Sequence, residues 1–227
     1  MSINWSININ NRITPEKSLL SRLSLKVRIH QLGVMLRLFH PSNRDLILDV
    51  GLSPLEKLPD TNFFERHYPY PHRLTAASVE DCSSLKKRYP EIKIVKIIPH
   101  SRLPFPKFKF EIATSWATLE HVGGYSLQEK LLNELLRVGK HIFVTTPYRY
   151  CIYEPHTSFF FIHWLPLSWF RLICRSTDRQ FWGIEAHFNP LSVTDIHKMK
   201  LTRPVFVKIY KIFGLLPTHL LISDVAF

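Results

Sequence analysis

Short apolar runs recur along the first two thirds of the chain, each closed by a polar or turn-forming residue. Leu46-Ile47-Leu48-Asp49-Val50-Gly51 has the length and uniform apolarity of a buried parallel strand that opens into a loop at Asp49 and Gly51. Similar runs lie at Leu74 to Val79, Ile92 to Ile98, Phe110 to Ser115 and His141 to Thr145, with helix-compatible stretches between them. From Leu127 to Val138 the spacing changes to that of a helix, where Leu131, Leu132, Leu135, Leu136 and Val138 form one stripe and Gly139 supplies a stop. Strands alternating with helices predict a mostly parallel α/β sheet covered on both faces. Toward the end, Pro204 to Ile212 and Thr218 to Phe227 flank Gly214 and Pro217 and predict a closing antiparallel pair.

Ahead of the first strand, Thr14-Pro15-Glu16 has the chemistry of a helix start: a capping hydroxyl, a proline in the first turn and a carboxylate near the positive end of the dipole. Leu19, Leu20, Leu23, Val27, Ile29, Leu32 and Leu36 continue it as an amphipathic, basic helix that ends before Pro41. Residues 1–13 are expected to be flexible, and 14–227 to form one domain. The segment Thr157 to Phe170 is apolar and aromatic but too short to span a bilayer, which takes about 20 apolar residues, and Pro166 interrupts it. It reads as a lid or core packing, or as a segment resting at a membrane surface.

Composition narrows the picture. With 45% hydrophobic and 21% charged residues among 227, the chain is a packed globule. Thirty Lys and Arg against 18 Asp and Glu give a net charge of +12, which attracts anions; the basic runs read as solvated faces, because no aromatic stacking platform is interleaved with them, with an anionic membrane surface as a candidate partner ahead of nucleic acid. Cys82, Cys151 and Cys174 are odd in number and lack paired spacing, so neither a disulfide framework nor a zinc site is expected, and a reducing, cytoplasmic setting fits. Met1 to Asn11 is polar where a secretion signal needs an apolar run.

In an open parallel sheet, ligands bind beyond the carboxyl ends of the strands where strand order reverses. The loop at Asp49-Val50-Gly51 is the first place to look, since a glycine admits a ligand to the backbone and a carboxylate can accept its hydrogen bonds. Four ordered motifs add to this. Leu103-Pro104-Phe105-Pro106 precedes Phe110-Glu111, Leu119-Glu120-His121-Val122 follows, and Glu134-Leu135-Leu136-Arg137-Val138 closes the series. In order and spacing they resemble the class I methyltransferases of the type-11 group. The later runs Thr146-Pro147-Tyr148-Arg149, Glu154-Pro155-His156-Thr157 and His163-Trp164-Leu165-Pro166 are similar to a bacterial subfamily of that group.

The resemblance implies a Rossmann-like, doubly wound, seven-stranded sheet with S-adenosyl-L-methionine lying across strands one to four. Carried over by position, Asp49, Gly51 and Ser53 match the first cofactor loop, Ser78 and Glu80 stand where the second strand meets the ribose, and Ser115 and Trp116 lie at the exit of the fourth strand. At the third strand the family's adenine-binding Asp is replaced, leaving His100 and Ser101 as candidates, and Leu52-Ser53-Pro54 stands where the family has more glycines. The acceptor implied is small or lipid-like, beneath the aromatic segment. Arg149, Glu154, His156 and Trp164 are candidates to touch it, with a salt-bridged loop anchor as the other account of the first three.

Glu120 and His121 place a carboxylate beside an imidazole, which either holds the turn or, with His156, contributes to catalysis. In ubiquinone-type O-methyltransferases a Glu three residues before this pair helps bind a divalent ion; here that position is Ala117, and no metal is expected.

Overall fold

The computed structural model describes residues 15–227; the flexible stretch expected over 1–13 and the cap at Thr14 lie outside the described residues. Seven strands form one sheet: β1 (Ile47–Val50), β2 (Leu74–Ser78), β3 (Lys93–Lys96), β4 (Phe110–Trp116), β5 (Gly139–Pro147), β8 (Phe206–Ile212) and β9 (Leu216–Ser223), in the order β3-β2-β1-β4-β5-β9-β8. β6 (Tyr153–Glu154) and β7 (Phe159–Phe160) make a separate small antiparallel pair. The first five strands run parallel, and β9 enters antiparallel beside β5 and pairs with β8, as the closing apolar runs predict. Strand order reverses between β1 and β4, so the crevice expected for a ligand opens there.

Alternate residues of each central strand face opposite layers. Leu48, Ile142, Val144, Leu220 and Ile222 pack under α3 (Tyr125–Val138), whose Leu132, Leu135 and Leu136 are buried. Ile47, Ile112, Phe143 and Leu221 face α1 (Pro15–Phe39) and α2 (Phe63–His67), meeting Leu32, Met35, Phe63 and Phe64. Asp49, two residues beyond Ile47, therefore ends its strand on the side of α1 and α2. A third, smaller cluster of Phe170, Cys174 and Phe188 lies between β7 and α4 (Leu167–Arg175).

Two expectations need correction. The connections after β2 and β3 contain no α-helix: only a 3₁₀ turn, Ser83–Lys87, lies between β2 and β3, and the chain from β3 to β4 is irregular. Pro99, Pro104 and Pro106 exclude a helix from that stretch. Side chains hold it instead: Arg137 at the end of α3 donates to the carbonyls of Leu103 (2.9 Å) and Phe105 (2.7 Å), and Glu134, paired with Arg137, accepts from the Leu103 amide (2.7 Å). The second correction concerns Gly139. The helix ends there, but with an extended φ of −97°; glycine is required because a Cβ would stand 2.5 Å from the His141 carbonyl oxygen and 2.9 Å from Ala113.

Candidate functional site

At the carboxyl ends of β1 and β4 lies a hollow of about 230 Å³, lined by Asp49, Gly51, Ser53 and Trp116 together with Arg28, Asp60, Asn62, Glu65 and Thr118. Four residues expected from the sequence meet here. The loop after β1 is firmly built: the Gly51 and Leu52 amides both donate to the Ala77 carbonyl, and Asn62 holds Ser53 by accepting from its amide (3.0 Å) and donating to its carbonyl (2.8 Å). Gly51 adopts φ +135°, and a Cβ placed on it would fall 2.0 Å from the Thr118 hydroxyl. The glycine thus admits the protein's own threonine to the main chain. Leu52 is buried and its carbonyl contacts the Cys82 thiol, closing the direction toward β2.

The floor of the hollow is a carboxyl pair. Asp49 accepts from the Thr114 hydroxyl (2.8 Å) and shares a hydrogen bond with Glu65 of α2. Burial raises the Asp49 carboxyl to about 6, against the opposing hydrogen bonds, while burial and the neighbouring Asp49 charge push Glu65 well above the ordinary range. The shared hydrogen bond needs a proton, and burial together with the Asp49 charge favours holding it on Glu65, which donates it to Asp49. Above them Arg28 of α1 stands 3.8 Å from Asp60, so a guanidinium and two carboxylates border one small space.

The other cofactor positions disperse. Ser78 is buried at the end of β2 and accepts from the Glu80 amide (3.1 Å), and Glu80 borders a separate hollow of about 100 Å³ with Cys82 and Lys96. His100 and Ser101 are exposed on a turn and border neither hollow. Ser115 spends its hydroxyl on the Val50 carbonyl (2.8 Å), fastening β4 to β1.

A second constellation forms one turn beyond Thr118. Glu120 is fully buried, with one carboxylate oxygen accepting from the Thr146 hydroxyl (2.9 Å) and the other, Oε1, without a hydrogen-bond partner. Beside it the Nε2 atoms of His121 and His156 lie 3.1 Å apart. His121 Nδ1 is 2.8 Å from the His187 carbonyl, and His156 Nδ1 is 2.6 Å from Glu154. Burial lowers the His121 imidazole; it also works against charge on His156, but there the Glu154 carboxylate prevails and the pKa rises. Glu154 resists its own burial through His156 and the amides of His156 and Thr157, and falls to about 2. Trp182 and Phe188 wall both imidazoles.

Arg149 does not join this group through an ion pair to Glu154; its guanidinium donates to the Leu165 carbonyl (3.0 Å) and lies over Tyr150. Trp164 donates its indole N–H to the Cys151 carbonyl (2.6 Å) and remains 43% exposed. Thr118, Glu65 and Arg28 carried no signal in the sequence, since each reaches its place only through the packing of a different element. The joining of His121 to His156 is equally long-range: Gln128 and Asn189 fasten the Leu119–His121 turn to the chain at His187, and the Glu154 carboxylate aims His156.

No family model matches the chain, and no curated protein sequence does. Solved structures do. The YcgJ protein from Bacillus subtilis superposes with a TM-score of 0.53 at 13% identity, over 86% of this chain and 97% of its own. A methyltransferase from Thermotoga maritima, described as S-adenosylmethionine-dependent and a possible histamine N-methyltransferase, gives 0.55 at 11% over 90% of each chain. A further S-adenosylmethionine-dependent methyltransferase from Aquifex aeolicus gives 0.52 at 12%, over 94% of this chain and all of its own. The fold is that of the Rossmann-like, class I methyltransferases.

Proposed function

We propose that this chain is an S-adenosyl-L-methionine-dependent methyltransferase of the type-11 group, acting on a small or lipid-like acceptor. The observation that carries the reading is the donor set of the 230 Å³ hollow at the strand-order reversal: Arg28 suits a carboxylate, while Asp49 and Asp60 suit an ammonium, which is the pairing an α-amino acid end requires. The hollow is smaller than the roughly 300–1,000 Å³ of a complete ligand pocket. It suits the methionine end of the cofactor, and Thr118 and the loop at Leu52 must shift to seat the adenosine. In this reading Glu80, which borders its own hollow after β2, meets the ribose hydroxyls.

The bound cofactor supplies a methyl group already activated on a sulfonium, so the protein's work is alignment. Trp116 walls the hollow, and the aromatic group of His156, Trp182 and Phe188 is the acceptor surface in this reading. In a thermal-shift titration, hundredfold saturation with S-adenosylmethionine or S-adenosylhomocysteine stabilises by about 2.7 kcal/mol, or roughly 5–10 °C. Thr118→Ala, which clears the space over Gly51, is expected to tighten binding. No shift at millimolar cofactor in either protein removes the reading.

A second reading has its own observation in the Thr118 hydroxyl seated over Gly51 and the burial of Leu52: a methyltransferase fold that has lost its cofactor and binds an anionic surface through its basic faces. Retention on anionic vesicles that weakens with salt, without any cofactor-induced shift, favours it.

A further inference from the structure

The hydrogen bonds around His121 and His156 fix where their protons are. A carbonyl oxygen only accepts, so His121 Nδ1, 2.8 Å from the His187 carbonyl, carries hydrogen, and the Nε2 of the neutral ring is an acceptor. His156 Nδ1 donates in the same way to the Glu154 carboxylate at 2.6 Å, so in the neutral ring, the form that ligates a metal, its Nε2 is an acceptor as well. These two lone pairs face each other at 3.1 Å. Glu120 Oε1, in a side chain with no exposure, stands 3.8 Å from His121 Nε2 and accepts no hydrogen bond. Three lone-pair donors thus converge within 4.8 Å of one another, an arrangement that calls for a cation among them. A proton shared by the two imidazoles relieves the nitrogens and leaves Glu120 Oε1 unsatisfied. A metal ion satisfies all three.

We infer that Glu120, His121 and His156 form a binding site for a divalent first-row transition-metal ion. Two imidazole nitrogens each about 2.0–2.1 Å from one ion are about 2.9 Å apart at octahedral angles and about 3.3 Å at tetrahedral ones, either side of the 3.1 Å found here. Each ligand already has its outer partner: Glu154 on His156, the His187 carbonyl on His121 and the Thr146 hydroxyl on Glu120. Imidazole donors favour zinc, iron, cobalt or nickel over magnesium or calcium. Three protein ligands leave at least one coordination position open, and the imidazoles are each about one fifth exposed (23% and 21%), so an oxygen of a second ligand reaches the ion from outside. His156 is shared with the acceptor surface of the methyl-transfer reading, but the metal site rests on its own geometry and survives the failure of that reading.

The test uses the full chain, stripped with a chelator and titrated with cobalt(II), whose visible bands report its ligands, and with zinc(II) by calorimetry. One ion per chain is expected. His156→Asn and His121→Asn should each weaken binding at least tenfold while circular dichroism and melting remain cooperative, and Thr146→Val should weaken it by about 10–100-fold. X-ray absorption of the zinc-loaded native chain should show two imidazoles and an oxygen ligand, and needs no variant. The chain carries twelve histidines, so uptake undiminished by both histidine variants, or a spectrum without two imidazoles, overturns the assignment. Failure to bind either metal overturns it as well and leaves the shared proton as the cation.

Discussion

Glu65 illustrates what a single buried group costs the fold. Its folded pKa lies well above its ordinary 4.5, so the stability it contributes is fully present below about pH 4.5 and is lost as pH rises from there. Asp49, raised to about 6, loses stability across the interval up to that pH. Glu65→Gln keeps a donor toward Asp49 and cannot ionise. Its melting temperature should exceed the native one by several degrees at pH 7, on the order of 1 kcal/mol or more, with the gap closing toward pH 4; a constant gap across this range contradicts the burial argument. Gly51 makes the opposite case. Gly51→Ala combines a disfavoured φ with a clash against Thr118 and should lose about 1–3 kcal/mol from the backbone alone in urea unfolding. Adding Thr118→Ala should return only the steric share, because φ is untouched.

Among the elements, the strands were legible because apolar runs of four to seven residues are the direct imprint of a sheet buried on both faces: Leu74 to Val79 predicts β2 (Leu74–Ser78), and Phe110 to Ser115 predicts β4 to within a residue. α3 was legible for the same reason, through its leucine stripe. The irregular chain between β3 and β4 was not, since nothing in Leu103-Pro104-Phe105 announces that Arg137 and Glu134 will hold its carbonyls and amide. The aromatic segment divides in the structure. Phe170 is buried, while Phe160 (60%), Trp169 and Leu172 (65% each) face outward along β7 and α4. Trp164 is bound to the Cys151 carbonyl and makes a poor probe, but Phe160, Trp169 and Leu172 have no such tie. Replacing those three with Ser should reduce sedimentation with anionic vesicles at least tenfold without lowering the melting temperature; unchanged sedimentation removes membrane docking by this face.

For the whole molecule, no helix among the described residues is long and apolar enough to cross a membrane, and the membrane-docking reading rests on that outward face and on the net charge of +12. In the same vesicle assay, the part due to charge should fade as added salt shortens the Debye length from about 10 Å at 0.1 M to about 3 Å at 1 M, and the part due to Trp169 and its neighbours should persist. A hollow lies at the loop after Asp49-Val50-Gly51, and the mostly parallel sheet and its closing antiparallel pair followed from the sequence, because strand alternation is local. The contents of the crevice did not, because Arg28, Glu65 and Thr118 come from three separate stretches and meet only after α1, α2 and β4 have packed.

One short turn, residues 117–121, carries Thr118 against Gly51 on one side and Glu120 with His121 on the other. If a cofactor over Gly51 and an ion at Glu120 and His121 both bind as proposed, they share those few peptide bonds, and a shift of the turn at one is felt at the other. By thermodynamic reciprocity, whatever factor the first imposes on the grip of the second is returned in equal measure.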